Sequence, residues 1–285
     1  MLRGACVVRC RTFATVVACL VLALFGESAL AAEPSPLVVS EGPAIQMATL
    51  QYVLRSARTG RTYVIKVTSP FGPVRAGEKR PVVYALDGGY EVAGPIAWVV
   101  AGAQGMRQSY VVSVGYLPAD YHWREPDLAF RAYSDEARKI DSGAPAFRSF
   151  LNDELRPFLA GRLPIDDRQA ILVGHSAGAL FAANILVDNP GEYAGYVIAS
   201  PAIWTDPSIL DRLRAGVSKL RRVKIYVAIG GDETPDMLAD ARKFRAILSS
   251  ADSSVALRSE TFEGATHLSY YPAMVASALP WMLGR

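Results

Sequence analysis

Thiols are scarce in this 285-residue chain: it has three cysteines, Cys6, Cys10 and Cys19, and all of them fall within the first 31 residues. Those residues place Arg3, Arg9 and Arg11 ahead of an apolar run from Phe13 to Phe25, followed by Ala29, Leu30 and Ala31 in a small-x-small pattern. That is the layout of an export signal cleaved after Ala31, which sends the chain to the periplasm or the medium. The apolar run, about 13 residues, falls short of the roughly 20 that a spanning helix needs, so no stable membrane insertion is expected after cleavage. A mature chain without cysteine has no disulfides, no thiolate metal site and no cysteine nucleophile.

Charge of either sign is also in short supply as a surplus. Losing Arg3, Arg9, Arg11 and Glu27 with the signal leaves 27 basic against 26 acidic residues, and the formal net charge falls from +3 to +1. Nothing in that balance points to nucleic acid. Histidine occurs only at His122, His175 and His267. There is no internal repeat and no low-complexity tract.

What is present is an alternation of strand-like and helix-like segments. Residues 32–43, with three prolines, read as an exposed leader, and residues 44–285 as one domain. Two strand-like runs, 47–56 and 61–68, flank Thr59 and Gly60 and predict an antiparallel hairpin. Short apolar runs then recur at 81–86, 110–114, 170–173, 195–199, 223–229 and 255–262, separated by helix-length stretches. Several are apolar throughout, as strands covered on both faces are. The order predicts an α/β fold with a mostly parallel central sheet and helices on both faces. Phe147, Phe150, Leu151, Leu155 and Phe158 recur at helical spacing, with Pro157 expected to kink or end that helix. Thr234 and Pro235 suit the cap and first turn of another. Residues 117–143 lack periodicity and are rich in Tyr, Trp and Arg, as expected of a loop overhanging a ligand crevice.

Gly174, His175, Ser176, Ala177 and Gly178 form a G-x-S-x-G between the strand Ile171, Leu172, Val173 and the helix-forming Ala179 to Val187. This context turns a five-residue match into a nucleophile elbow: the serine occupies a sharp strand-to-helix turn that only glycine neighbours accommodate. A serine hydroxyl needs a base to take its proton. His175 is on the elbow itself, His122 precedes it, and His267 follows the last strand. The chain order of serine, acid and histidine selects His267 as general base. The acid position after the run 223–229 holds two candidates, Asp232 and Glu233, either of which would orient the imidazole. Ala177 supplies one backbone N–H for an oxyanion, and Gly88 or Gly89, after the strand at 81–86, the other. Arg124, Arg131, Tyr121, Trp123 and Tyr133 are candidates to line a pocket for an aromatic or anionic acyl group. Arg124 is alternatively an ion-pair partner of Asp127, and Trp204 is either a wall of the site or core.

Val83 to Gly88, Val114 to Tyr116 with Arg124 and Asp127, Gly174 to Leu180, Ser200 to Trp204, Gly230 with Glu233, and His267 together resemble the esterase D-like branch of the α/β hydrolases. Within that branch the likeness is to siderophore esterases that open enterobactin-type trilactones. The resemblance implies the α/β-hydrolase fold, a small-molecule ester substrate, no cofactor and no metal. It also ranks Glu233 above Asp232 as the acid. Two departures are Ala179, where the branch usually has a second glycine, and the lack of its usual proline after Asp127. Feruloyl and acetyl-xylan esterases, S-formylglutathione hydrolases and mycolyltransferases share the branch, so reaction class is implied more firmly than substrate. A siderophore-binding protein without turnover would be marked by a lost triad member, and none is lost.

Overall fold

The hairpin predicted for the first two strand-like runs is present as β1 (Thr49–Arg55) and β2 (Thr62–Thr68), paired antiparallel through Thr49↔Thr68 to Arg55↔Thr62. This computed structural model describes residues 48–86, 92–134 and 138–284. The next strands are β3 (Val82–Ala85) and β4 (Tyr110–Gly115), then a small hairpin of β5 (Tyr133–Ser134) and β6 (Lys139–Ile140). Last come β7 (Ile171–His175), β8 (Gly195–Ala199), β9 (Lys224–Gly230) and β10 (Ala256–Phe262). The main sheet runs β1-β2-β4-β3-β7-β8-β9-β10. β2 meets β4 antiparallel, and every later neighbour is parallel.

Continuous apolar strands have a direct physical reason here. Along β3, Val82 and Tyr84 belong to one hydrophobic layer, and Val83 and Ala85 to the other. Alternating side chains therefore serve opposite faces, and both faces must be apolar. The second layer is closed by α1 (Ala93–Gln104) and, at the end of the chain, α8 (Tyr271–Leu283). The first layer packs against α3 (Ala144–Ser149), α5 (Ala177–Asp188), α6 (Ser208–Gly216) and α7 (Pro235–Leu248), which bury Phe147, Phe181, Leu213 and Phe244. Thr234 caps α7 as its sequence predicts, its Oγ1 accepting from the Met237 amide at 3.4 Å.

Pro157 does not end its helix. Residues Phe150–Leu155 wind as a π-turn, in which the Arg156 amide donates to Leu151 O five residues back. α4 (Arg156–Ala160) then continues beyond it. The wider turn accommodates a proline that has no N–H to give and a ring that crowds the preceding turn. The aperiodic segment 117–143 carries short elements of its own: a 3₁₀ helix at Pro118–Trp123, α2 (Arg124–Leu128), and the β5–β6 hairpin. Among the described residues, no helix is long and apolar enough to cross a membrane.

Candidate active site

β7, β8, β9 and β10 are adjacent and parallel, so the segments after their carboxyl ends gather along one rim of the sheet. Ser176, Ser200, Glu233 and His267 all lie on those segments, where open α/β sheets bind ligands. Ser176 sits at φ 56° and ψ −117°, a left-handed backbone that a side chain adopts only at a cost. The elbow is held on both sides, by Ser176 N–H donating to Ala199 O at 2.9 Å and Ser176 O accepting from Ala202 N at 3.1 Å. Gly174 explains the motif: a Cβ there would lie 2.1 Å from Gly178 O in the first turn of α5. Ala177 is the first residue of α5, so its N–H has no acceptor within the helix, and the positive end of the helix dipole adds to its pull on an anion.

Of the two carboxylates after β9, Glu233 is the one that meets His267. Its Oε2 lies 2.9 Å from His267 Nδ1, while its Oε1 accepts from Gly230 N at 2.9 Å and from Ser200 Oγ. Asp232 is exposed. A carboxylate only accepts, so the proton of neutral His267 is on Nδ1, and Nε2 is the ring nitrogen able to accept one. Burial alone would raise the Glu233 carboxyl, but hydrogen bonds from His267, Ser200 and the Gly230 amide outweigh it and hold it below its ordinary value. The close approach of the two loops depends on Gly230, where a Cβ would come within 2.4 Å of Ala265 O. His267 keeps about a third of its side-chain surface, 32%, open to solvent, and Glu233 keeps none.

His175, next to Ser176 on the elbow, packs its ring against that of His267. It is fully buried, and its Nε2 lies 2.7 Å from His267 O. Since a carbonyl only accepts, Nε2 carries the proton and the imidazole tethers the backbone of His267. Burial, the His267 charge 4.5 Å away between ring centres, and Arg124 together push His175 down to about 4. It therefore stays neutral in ordinary buffers. Sequence reasoning set His175 aside because of its position. It also missed Ser200 and Tyr270, whose hydroxyls form a contact behind Glu233. The one local sign was Ser200-Pro201, a motif with no evident chemistry.

Arg124, at the start of α2, is close enough to the site for its charge to lower His175. The pair expected between Arg124 and Asp127 is not made. Asp127 is fully buried and binds Arg61, the Tyr63 hydroxyl at 2.9 Å and the Tyr116 hydroxyl at 3.2 Å. Asp127 and Leu128 are the buried residues of α2, and Arg124 is half-buried. Arg61 also covers the Trp123 ring at 4.1 Å. Trp204 is not core: it is 57% exposed and meets Tyr133 edge-on at 5.9 Å. Arg131 pairs with Asp206 at 3.7 Å. A shallow cleft, lined by Phe130, Tyr133, Ala177 and Leu180 among others, opens beside the elbow. A roomier cavity of about 280 Å³ between β9, β10 and α7 shares none of these residues and carries none of this chemistry. His122 is exposed and bonds Ala119 O at 3.1 Å. Gly88 and Gly89 lie outside the described residues, as does the segment 1–47 that includes the export signal and leader.

A family model described as "Putative esterase" matches residues 56–282. Ferri-bacillibactin esterase BesA of Bacillus subtilis is 28% identical over 258 residues, spanning 81% of this chain and 88% of that protein. Among solved structures, the BES protein from Bacillus cereus superposes with a TM-score of 0.77 at 24% identity, over 87% of this chain and 99% of the other. Enterobactin hydrolase IroE in complex with DFP superposes at 0.68 and 22% identity, over 83% and 95%.

Proposed function

The chain belongs to that esterase family and is a hydrolase of carboxylic ester bonds; on this premise we propose that Ser176 is its nucleophile and that ester-linked siderophores of the trilactone type are its substrates. Ser176 Oγ attacks the ester carbonyl while His267 Nε2 takes its proton. The tetrahedral oxyanion is held by Ala177 N–H and a second amide from Gly88 or Gly89. Collapse expels the alcohol, which leaves with the proton from His267. Water then repeats the sequence on the acyl-serine, His267 again taking and returning the proton, and the free acid leaves. Glu233 orients the imidazole and stabilises its protonated form throughout. No cofactor enters either half-reaction.

The observation that carries this reading is the Glu233 Oε2 to His267 Nδ1 contact of 2.9 Å, made from a carboxylate with no exposed side-chain surface, two strand-ends along from the strained Ser176. The substrate half rests on the relatives, one a ferri-bacillibactin esterase and one an enterobactin hydrolase, and on the cation Arg124 and the paired rings of Tyr133 and Trp204. Arg124 supplies charge for an anionic iron chelate, and Trp204 and Tyr133 supply faces for aromatic rings. With residues 1–31 read as an export signal, the reaction takes place in the periplasm or the medium, which fractionation of a host expressing the full chain tests.

Ser176→Ala is expected to abolish both labelling by a fluorophosphonate and turnover of p-nitrophenyl butyrate. Retention of both would overturn the nucleophile assignment. Comparing kcat/KM for trilactones, feruloylated sugars and short aryl esters tests the substrate: aryl esters outrunning every trilactone would overturn it.

A further inference from the structure

Two of the four non-glycine residues with positive φ among the described residues are Ser176, after β7, and Ser200, after the neighbouring β8. Ser176 has a reason for its strain in the chemistry proposed above. Ser200, at φ 46° and 1% exposed, has none there, and it precedes Pro201, which further narrows its backbone. Glycine would relieve that conformation without cost in space, so the side chain is what the position keeps.

That side chain makes two contacts. Ser200 Oγ bonds Glu233 Oε1, and it lies 2.5 Å from the hydroxyl of Tyr270, a residue 1% exposed at the start of α8. The direction of these bonds follows from elementary donor counting. Glu233 is held as a carboxylate and only accepts, so the single Ser200 hydrogen points to Glu233. The Ser200 oxygen must then accept, and the Tyr270 hydroxyl donates to it. The result is a chain running one way, from Tyr270 O–H to Ser200 O–H to Glu233, which ends on His267. Each donor polarises the next, and the low-dielectric setting strengthens the bonds.

We propose that Tyr270 and Ser200 are positioning residues of the esterase site, a directed hydrogen-bond chain that fixes Glu233 and moderates how strongly it holds the proton on His267. This rests on the triad reading given above. Withdrawing donors from Glu233 concentrates its negative charge, so the Glu233–His267 pair binds its proton more tightly and releases it at higher pH. Among the described residues, His175 beside the pair is kept neutral by burial, and Arg124, whose charge reaches His175, is unchanged by the substitutions. Asp232, the adjacent carboxylate, is exposed.

The test is the pH dependence of kcat/KM for p-nitrophenyl butyrate in the wild-type protein, Ser200→Ala, Ser200→Gly and Tyr270→Phe, with fluorophosphonate labelling of each. Ser200→Ala and Ser200→Gly are expected to move the acid limb upward by about half a pH unit and lower kcat about tenfold. Tyr270→Phe, nearly isosteric, is expected to move it the same way by less. Ser200→Gly guards against misfolding, since it also removes the backbone strain. An acid limb that stays in place in all three variants, even with kcat reduced, would overturn the proposal and leave Ser200 as packing. Failure of the wild-type chain to label at all would instead defeat the triad reading beneath it.

Discussion

The rim that carries Ser176, Glu233 and His267 and the arm at residues 117–143 face one site but are built in opposite ways. The rim is assembled from the ends of four adjacent strands, and its groups are held by buried partners: Ala199 O for the elbow, Gly230 N and Ser200 for Glu233, His175 for the backbone of His267. The arm is made of one short 3₁₀ helix, one short α-helix and a two-residue hairpin, and it is moored to the sheet mainly by one buried carboxylate, Asp127 on Arg61, Tyr63 and Tyr116. Burial pushes the Asp127 carboxyl upward even against its Arg61 partner and the two hydroxyls. Chemistry demands placement to a fraction of an ångström, which a sheet edge supplies. Recognition of a bulky ligand tolerates a more exposed, more variable surface.

The largest test of that contrast is within the rim. Glu233→Gln keeps the size of the side chain but not its charge, and it is expected to lower kcat by about 10³-fold, roughly 4 kcal/mol of transition-state stabilisation. Asp232→Asn, one residue away and exposed, is expected to change kcat less than about twofold. Steady-state kinetics on an aryl ester decides, and the reverse ranking would reassign the acid.

Next in size is an acid-sensitivity that belongs to the rim alone. His175 titrates near its ordinary 6.5 when unfolded and at about 4 when folded. Between those values the unfolded chain binds a proton that the folded chain refuses. Stability is therefore full above about 6.5 and is lost as pH falls toward 4, by on the order of 3 kcal/mol. Replacing His175 with Gln keeps a donor for His267 O without the titration. Urea unfolding of both proteins at pH 7 and near pH 4 should show the wild-type chain losing more. Equal losses would mean that His175 contributes nothing to acid sensitivity.

The smallest expected effects are on the arm and on Trp204, which meets its Tyr133. Arg124→Ala is expected to raise KM about tenfold for an anionic ferric siderophore and to leave p-nitrophenyl butyrate within about twofold. Trp204→Ala should act in the same direction by less. A uniform loss on both substrates would place these residues in the machinery of the rim and erase the distinction drawn here.

Local pattern by itself determined a good deal of this protein. Apolar runs buried on both faces marked the strands, Gly174 and Gly178 around Ser176 marked the elbow, and a shortage of histidine singled out His267, which the fold sets against Glu233. Each of those readings depends on neighbours in the chain or on the inventory of residue types. Tertiary structure alone decided the rest. Asp232 and Glu233 are adjacent and chemically alike, and only the path of the loop after Gly230 turns one inward and leaves the other in water. Arg124 and Asp127 are three apart on a helix and suggested a pair, yet the fold offered Asp127 a better set of donors in Arg61, Tyr63 and Tyr116. Ser200 and Tyr270 stand 70 residues apart, and nothing in either stretch foretells that their hydroxyls meet behind the same carboxylate. Spacing along the chain encodes periodicity and turns, whereas partners at a sheet edge are brought together by strand order, which the order of residues does not spell out.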